Sequence, residues 1–227
     1  MTYPNICPAV FRSRPNRFIA EVDIDSEPET VHVKNTGRCK ELLTPGAMVY
    51  LVQSNNELRK TRYDLVSVQK GGRLINMDSQ APNMVFLEYL KSGRYIKDVT
   101  LIRPEAVYGC SRFDFYLETA ERKMFIEVKG VTLEENDVVL FPDAPTLRGV
   151  KHLEELARCV RDGYEAHVVF VVQMSHVCYF TPNRVTHPRF GEALAAAKDA
   201  GVMVSAFDCD VSPGSLSIRG QVHIRLG

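Results

Sequence analysis

Residues 108–133, YGCSRFDFYLETAERKMFIEVKGVTL, decide how this chain is read. Two runs of mostly apolar residues, 112–117 and 124–131, flank a polar turn, which predicts an antiparallel hairpin with successive side chains on opposite faces. A hairpin that only had to pack would not need charges there. Yet Asp114 sits among phenylalanines, and Glu127 and Lys129 interrupt the second strand. Alternation puts Phe113, Phe115 and Leu117 on one face and Asp114 and Tyr116 on the other, and it gives Glu127 and Lys129 a common face. If Leu117 pairs with Met124, Asp114 falls opposite Glu127. Two carboxylates then meet with a lysine beside them.

Like charges opposed across strands are destabilising, and partly buried carboxylates more so, unless a cation or a proton intervenes. A hard divalent ion resolves the conflict. Mg²⁺ takes oxygen ligands, keeps several waters, and is usually held by one or two carboxylates plus substrate phosphate. Mg²⁺ or Mn²⁺ is therefore the expected cofactor, with Lys129 placed to orient a water or to stabilise charge on a phosphate. The acidic-x-Lys triplet alone is weak, since Glu121-Arg122-Lys123 in the turn repeats it. The surrounding order of elements gives it weight.

Upstream, SQAPNMVFLEYLKSG (residues 79–93) offers a cap at Ser79 or Asn83, helical spacing in Val85, Leu87, Tyr89 and Leu90, and a terminating Gly93. Strands are expected at residues 99–106, 166–174, 202–207 and 215–226, and helices near 147–162 and 188–200. Together these form a mixed α/β sheet domain over residues 83–227. Residues 1–82 read differently. Short strands beginning near Arg17, Glu29, Ala47 and Arg62, separated by polar or glycine-containing breaks, predict a small OB-like β-barrel, a fold whose open face commonly binds nucleic acid.

Lysine plus arginine and aspartate plus glutamate number 28 each, so attraction to a polyanion must come from a local patch. Residues 34–73 hold eight basic residues against three acidic ones, a candidate anion-binding face, with a solvated loop region as the competing reading. Lys34, Asn35, Thr36, Arg38, Lys60 and Arg62 are the expected contacts to a nucleic-acid backbone. In the helix near residue 147, Arg148, Lys151 and His152 crowd the first turn, where cations oppose the helix dipole. A phosphate at that helix start would reconcile the conflict; a core contact by His152 is the alternative. Six scattered cysteines without a C-x-x-C pair, no apolar signal core at the start, and a longest apolar run of VVFVV from Val168 predict a cytoplasmic protein with reduced thiols and no membrane span.

Asp114 with Glu127-Val128-Lys129 resembles the PD-(D/E)xK nuclease signature, and the order of elements matches the αβββαβ core of that superfamily. More specifically, NTGRC at Asn35, YGCSRFDF at Tyr108, EVKGVTL at Glu127 and FPDAPTLRGVKHLEEL at Phe141 resemble the sugar fermentation stimulation protein A (SfsA) family, spread over most of the chain in order. The resemblance implies an α+β fold, with an N-terminal OB-like barrel followed by a restriction-endonuclease-like mixed α/β domain. It also implies DNA as partner. By it Asp114 and Glu127 are metal ligands, Lys129 is the catalytic lysine, and Glu88 is the helix glutamate that some members use as a further ligand; a solvated helix position is the other reading of Glu88. Phe113 departs from the proline that the signature carries before the aspartate. Two functions follow: a divalent-metal-dependent deoxyribonuclease, or a non-catalytic DNA-binding regulator of sugar metabolism genes that keeps the nuclease fold.

Overall fold

The computed structural model describes every residue except Thr36, Glu57 and Gly227. In the first part, β1 (Ile6–Ser13), β2 (Ile19–Ile24), β3 (Glu27–Val33), β4 (Met48–Gln53) and β5 (Tyr63–Lys70) coil into one sheet in the order β3-β2-β1-β4-β5, and a short parallel pairing of β3 with β5 closes it into a barrel. β6 (Arg73–Asn76) extends β5 as a hairpin. Strand alternation sends Ala9, Phe11, Ala20, Val22, Val31, Val33, Val49 and Leu51 into the barrel interior, all nearly solvent-free. β1 and β6 escape the sequence reading: the arginine-rich end of β1 and the brevity of β6 hide their periodicity.

The second part starts with α1 (Ala81–Lys91) and continues through β7 (Leu101–Tyr108), β8 (Ser111–Glu118), β9 (Lys123–Val131), β10 (Leu133–Glu135), β11 (Val138–Phe141), α2 (Leu147–Arg161), β12 (Glu165–Val172), β13 (Tyr179–Pro182), α3 (Pro188–Asp199), β14 (Met203–Ser212) and β15 (Ser215–Gln221). A six-stranded sheet has the order β15-β14-β12-β9-β8-β7, with β9, β12 and β14 parallel at its centre. The small sheet β10-β11-β13 was not legible in the sequence. From Ala166 to its end β12 is buried on both faces, as a central parallel strand must be. Val168, Phe170 and Val172 face the α2 and α3 side, while Val169 and Val171 face α1 with Val85, Phe86 and Leu90. Neither expected cap opens α1. The N-cap is Gln80, and the carboxylate of Asp78 accepts its N–H at 2.9 Å.

The core on the α2 and α3 side runs without a break into the barrel interior, from Phe170 and Leu153 to Leu51 and Val33. Gln173, at the end of β12, reinforces the join. Its backbone carbonyl accepts from Asn76 N at 2.9 Å, and its Nε2 donates to Asn76 Oδ1 at 2.8 Å and to the Asp78 carbonyl at 3.0 Å. All six cysteines are free thiols. Among the described residues no helix is long and apolar enough to cross a membrane.

Candidate metal and phosphate site

The β8–β9 ladder pairs Leu117 with Met124, as expected, and stops at Phe115 with Ile126. One step further in the same register Asp114 draws level with Glu127, but the strands have begun to fork. Asp114 fills the gap: its Oδ2 accepts the Val128 N–H at 2.7 Å, in place of a strand carbonyl. The alternation predicted along β8 breaks at the same point. Phe115 and Leu117 pack towards α1, whereas Phe113 joins Phe125 and His152 on the α2 side, its ring 5.9 Å from the imidazole. The fork therefore brings a carboxylate to the end of the β8–β9 ladder without burying an unpaired strand N–H.

The two carboxylates are held from opposite faces. Asn83, in the first turn of α1, donates to Asp114 Oδ1 at 2.7 Å. Glu127 is 3% exposed, and its Oε1 accepts from Lys129 Nζ and His152 Nδ1, each at 2.5 Å. Arg148, one turn earlier on α2, donates from Nε to His152 Nε2 at 3.3 Å. A guanidinium donates only, so that contact places the imidazole proton on Nδ1, facing Glu127. The electrostatic result is asymmetric. Burial, then the charge on Glu127, raise the Asp114 carboxyl above the usual carboxylate range. Burial also pushes Glu127 upward, but hydrogen bonds from His152 and Lys129 and the lysine's charge outweigh it and leave Glu127 below its ordinary value.

Glu127 Oε2 is buried with no hydrogen-bond partner. A buried carboxylate oxygen left open beside a second carboxylate is an arrangement that a bound cation would stabilise. Among the described residues no group of three or more His, Cys, Asp or Glu is placed to hold a metal, and the carboxylates at the fork are Asp114 and Glu127. Two carboxylates suit Mg²⁺ or Mn²⁺, which retain water and share their ligands with a phosphate. Glu88 is not part of this set. It is 59% exposed and pairs with the Met1 ammonium at 2.6 Å. From Asn83 it lies five residues along α1, about 140° around the helix from the face that reaches Asp114.

The anion-contact residues also separate. Lys34 is committed to the buried Asp78 carboxylate, Nζ to Oδ2 2.7 Å, so it serves the fold. Asn35 is likewise engaged, donating to the Met77 carbonyl and accepting the Gly37 N–H. Thr36 lies outside the described residues. Arg38 and Lys60 are exposed, and exposed Arg62 lies over the Tyr63 ring. On α2, Arg148 is exposed, Lys151 reaches the Cys110 carbonyl at 3.1 Å, and His152 is 4% exposed. His152 therefore positions Glu127 and offers no surface to a phosphate. The expected phosphate seat at this helix start reduces to Arg148 and Lys151, above an N-cap already made by Thr146 Oγ1 to Gly149 N. The sequence reading missed the roles of Asn83 and Gln173; a helix-start asparagine facing a strand aspartate was the available signal for the first.

The chain matches a family model described as "Sugar fermentation stimulation protein RE domain" over residues 80–215 and one described as "SfsA N-terminal OB domain" over residues 13–77. It is similar to the "Sugar fermentation stimulation protein homolog" of Ruminiclostridium cellulolyticum, 55% identical over 226 residues, and to that of Clostridium beijerinckii, 56% identical over 226 residues, each alignment covering 100% of both chains. Among solved structures it is similar to Pyrococcus furiosus SfsA in complex with Ca²⁺, with a TM-score of 0.90, 29% identity, and coverage of 99% of this chain and 98% of that one.

Proposed function

The chain belongs to the sugar fermentation stimulation protein (SfsA) family, and from that premise we propose that it binds DNA and hydrolyses phosphodiester bonds at the forked carboxylate site with a divalent metal. The observation that carries this reading is the open, buried Glu127 Oε2 beside Asp114. Asp114 and Glu127 would hold Mg²⁺ or Mn²⁺, which when bound polarises a phosphate oxygen and acidifies a water. The chain's own residues supply the rest. His152, oriented by Arg148, keeps the Glu127 carboxylate ionised and aimed. Lys129 carries the flexible cation of the site, 15% exposed, and can turn from Glu127 to charge developing on a phosphate. The Pyrococcus furiosus relative was solved with Ca²⁺, a hard cation of the same oxygen-seeking class.

One observation favours the second reading, a DNA-binding regulator without catalysis. Both oxygens of Asp114 already accept hydrogen bonds, as does one of Glu127, which leaves a single open acceptor. Incubating the protein with labelled single- and double-stranded DNA, with Mg²⁺, with Mn²⁺ and with chelator, separates the two. Metal-dependent cleavage that disappears in Lys129→Ala supports the nuclease. Binding without cleavage under every condition overturns it in favour of the regulator.

A further inference from the structure

Ion pairs use up much of the barrel's positive charge. Arg12, Lys34, Arg59, Lys70 and Arg73 are matched by Asp23, Asp78, Asp64, Glu134 and Asp137. Arg17, Arg38 and Lys40 belong to no ion pair among the described residues, and all three are exposed. They line one cleft of about 510 Å³ between the barrel and the segment leading into α2, whose wall holds no acidic residue among the described residues and whose apolar floor is Leu43, Ala144 and Pro145. Arg14 holds this cleft open: its guanidinium donates to the carbonyls of Arg17, Asn35, Gly37 and Arg38 at 2.6 to 2.9 Å.

The cleft adjoins a second cavity. Gly37 forms part of the cleft wall and also part of this smaller cavity of about 300 Å³, whose far wall is Gly130, the residue after Lys129. A side chain at either glycine would crowd the polar groups of this cavity. A Cβ on Gly37 would come within 2.8 Å of Asp143 Oδ2, and one on Gly130 within 2.7 Å of Gln173 Oε1. The second cavity presents acceptors: the Asp143 carboxylate, and Gln173 Oε1, whose amide is fixed because Nε2 donates twice.

We propose that this path is the binding track of a single-stranded polynucleotide, with backbone phosphates on Arg17, Arg38 and Lys40 and a base lodged in the acceptor-lined cavity beyond Gly37. The inference rests on the DNA-binding part of the proposed function and not on cleavage. A duplex keeps its base faces stacked inside and offers a narrow cleft mostly phosphates and sugars, so an apolar floor beneath cations gains little from it. A single strand presents phosphates and unstacked base faces together. Acceptors at the inner end suit the exocyclic amines of an unpaired base.

The test is fluorescence anisotropy with a labelled, unstructured oligodeoxynucleotide and with a duplex of equal length, in chelator, over a range of salt. Without metal no cleavage competes, so binding is read whether or not the protein is a nuclease. The parent is expected to prefer the single strand. The variant R17A/R38A/K40A is expected to lose about tenfold or more in affinity at low salt, with a log-log salt slope shallower by about 2, from roughly 0.7 per phosphate contact. Arg17→Ala alone, at one exposed side chain, is expected to give about a third of that change in slope. A charge-matched control, K91A/K97A/K198A, removes three exposed lysines outside the cleft and is expected to bind like the parent. Parent-like binding by the cleft variant, an equal loss in the control, or a parent preference for duplex would each overturn the proposal.

Discussion

Replacing each carboxylate of the fork by its amide is expected to move stability in opposite directions. Glu127→Gln keeps the shape and a carbonyl oxygen that still accepts from Lys129 and His152, but removes the charge that both donors face. Hydrogen bonds to charged groups contribute about 1.5–3 kcal/mol and neutral ones about 0.5–1.5, so weakening two of them costs about 2 kcal/mol. Relief of burial and of repulsion by Asp114 returns part of this, leaving a net loss of about 1–2 kcal/mol, or about 2–8 °C in Tm for a chain of this length. The sign follows from the lowered Glu127 carboxyl: the fold favours its ionised form. Asp114 is the reverse case, raised by burial and by Glu127. An amide at position 114 can give its oxygen to the Val128 N–H and its NH₂ to a turned Asn83 amide, so Asp114→Asn is expected to melt at or slightly above the parent. Because the folded Asp114 binds its proton more readily than the unfolded chain does, that advantage shrinks as pH falls through the raised value. The Glu127→Gln deficit behaves otherwise. The stability that Glu127 contributes is present above its ordinary value and is lost only as pH falls through the depressed one. Calorimetric melts with and without Mn²⁺ check all of this, with metal stabilisation expected in the parent alone. Equal loss in both variants, or a metal response that survives both substitutions, would refute the assignment of the fork.

Two more tests address residues outside the fork. Lys34→Ala leaves the fully buried Asp78 side chain with only Tyr3 and the Gln80 N–H as partners, so it is expected to destabilise by about 3 kcal/mol in urea titrations while leaving DNA affinity nearly unchanged. His167, buried beside Tyr95 with its Nδ1 2.8 Å from the Tyr95 oxygen, is held down to about 4 by burial against an ordinary 6.5. The unfolded chain therefore takes up its proton first, and stability is expected to fall by at most about 1.4 kcal/mol per pH unit as pH drops between those values. Melts of parent and His167→Gln over that range check it, the variant giving the flatter profile.

Much of the second domain was legible because its signals are local. The β8–β9 register follows from the apolar match of Leu117 with Met124, and the α2 helix from a stripe at Val150, Leu153 and Leu156. The carboxylate pair was legible for the same reason, as a violation of that pattern. What the sequence hid depends on contacts between distant residues. Half of the eight cations counted over residues 34–73 are tied up: Arg59 by Asp64, but Lys34, Lys70 and Arg73 by Asp78, Glu134 and Asp137, which all lie outside that window. Glu88 looked eligible by position and was removed by helix phase. His152, read either as a phosphate contact or as a core contact, proved to be the second, a buried donor to Glu127. None of these outcomes has a local signature, since each depends on which face of another element arrives opposite.

Arg14 has a consequence for kinetics. A planar guanidinium with forked donors can hold four carbonyls at once, which a lysine ammonium could not. The loop it gathers is shaped during folding, so a ligand arriving at the neighbouring cations meets a surface with little left to order. Encounter is then governed by electrostatic attraction and its screening, not by a wait for the loop to close.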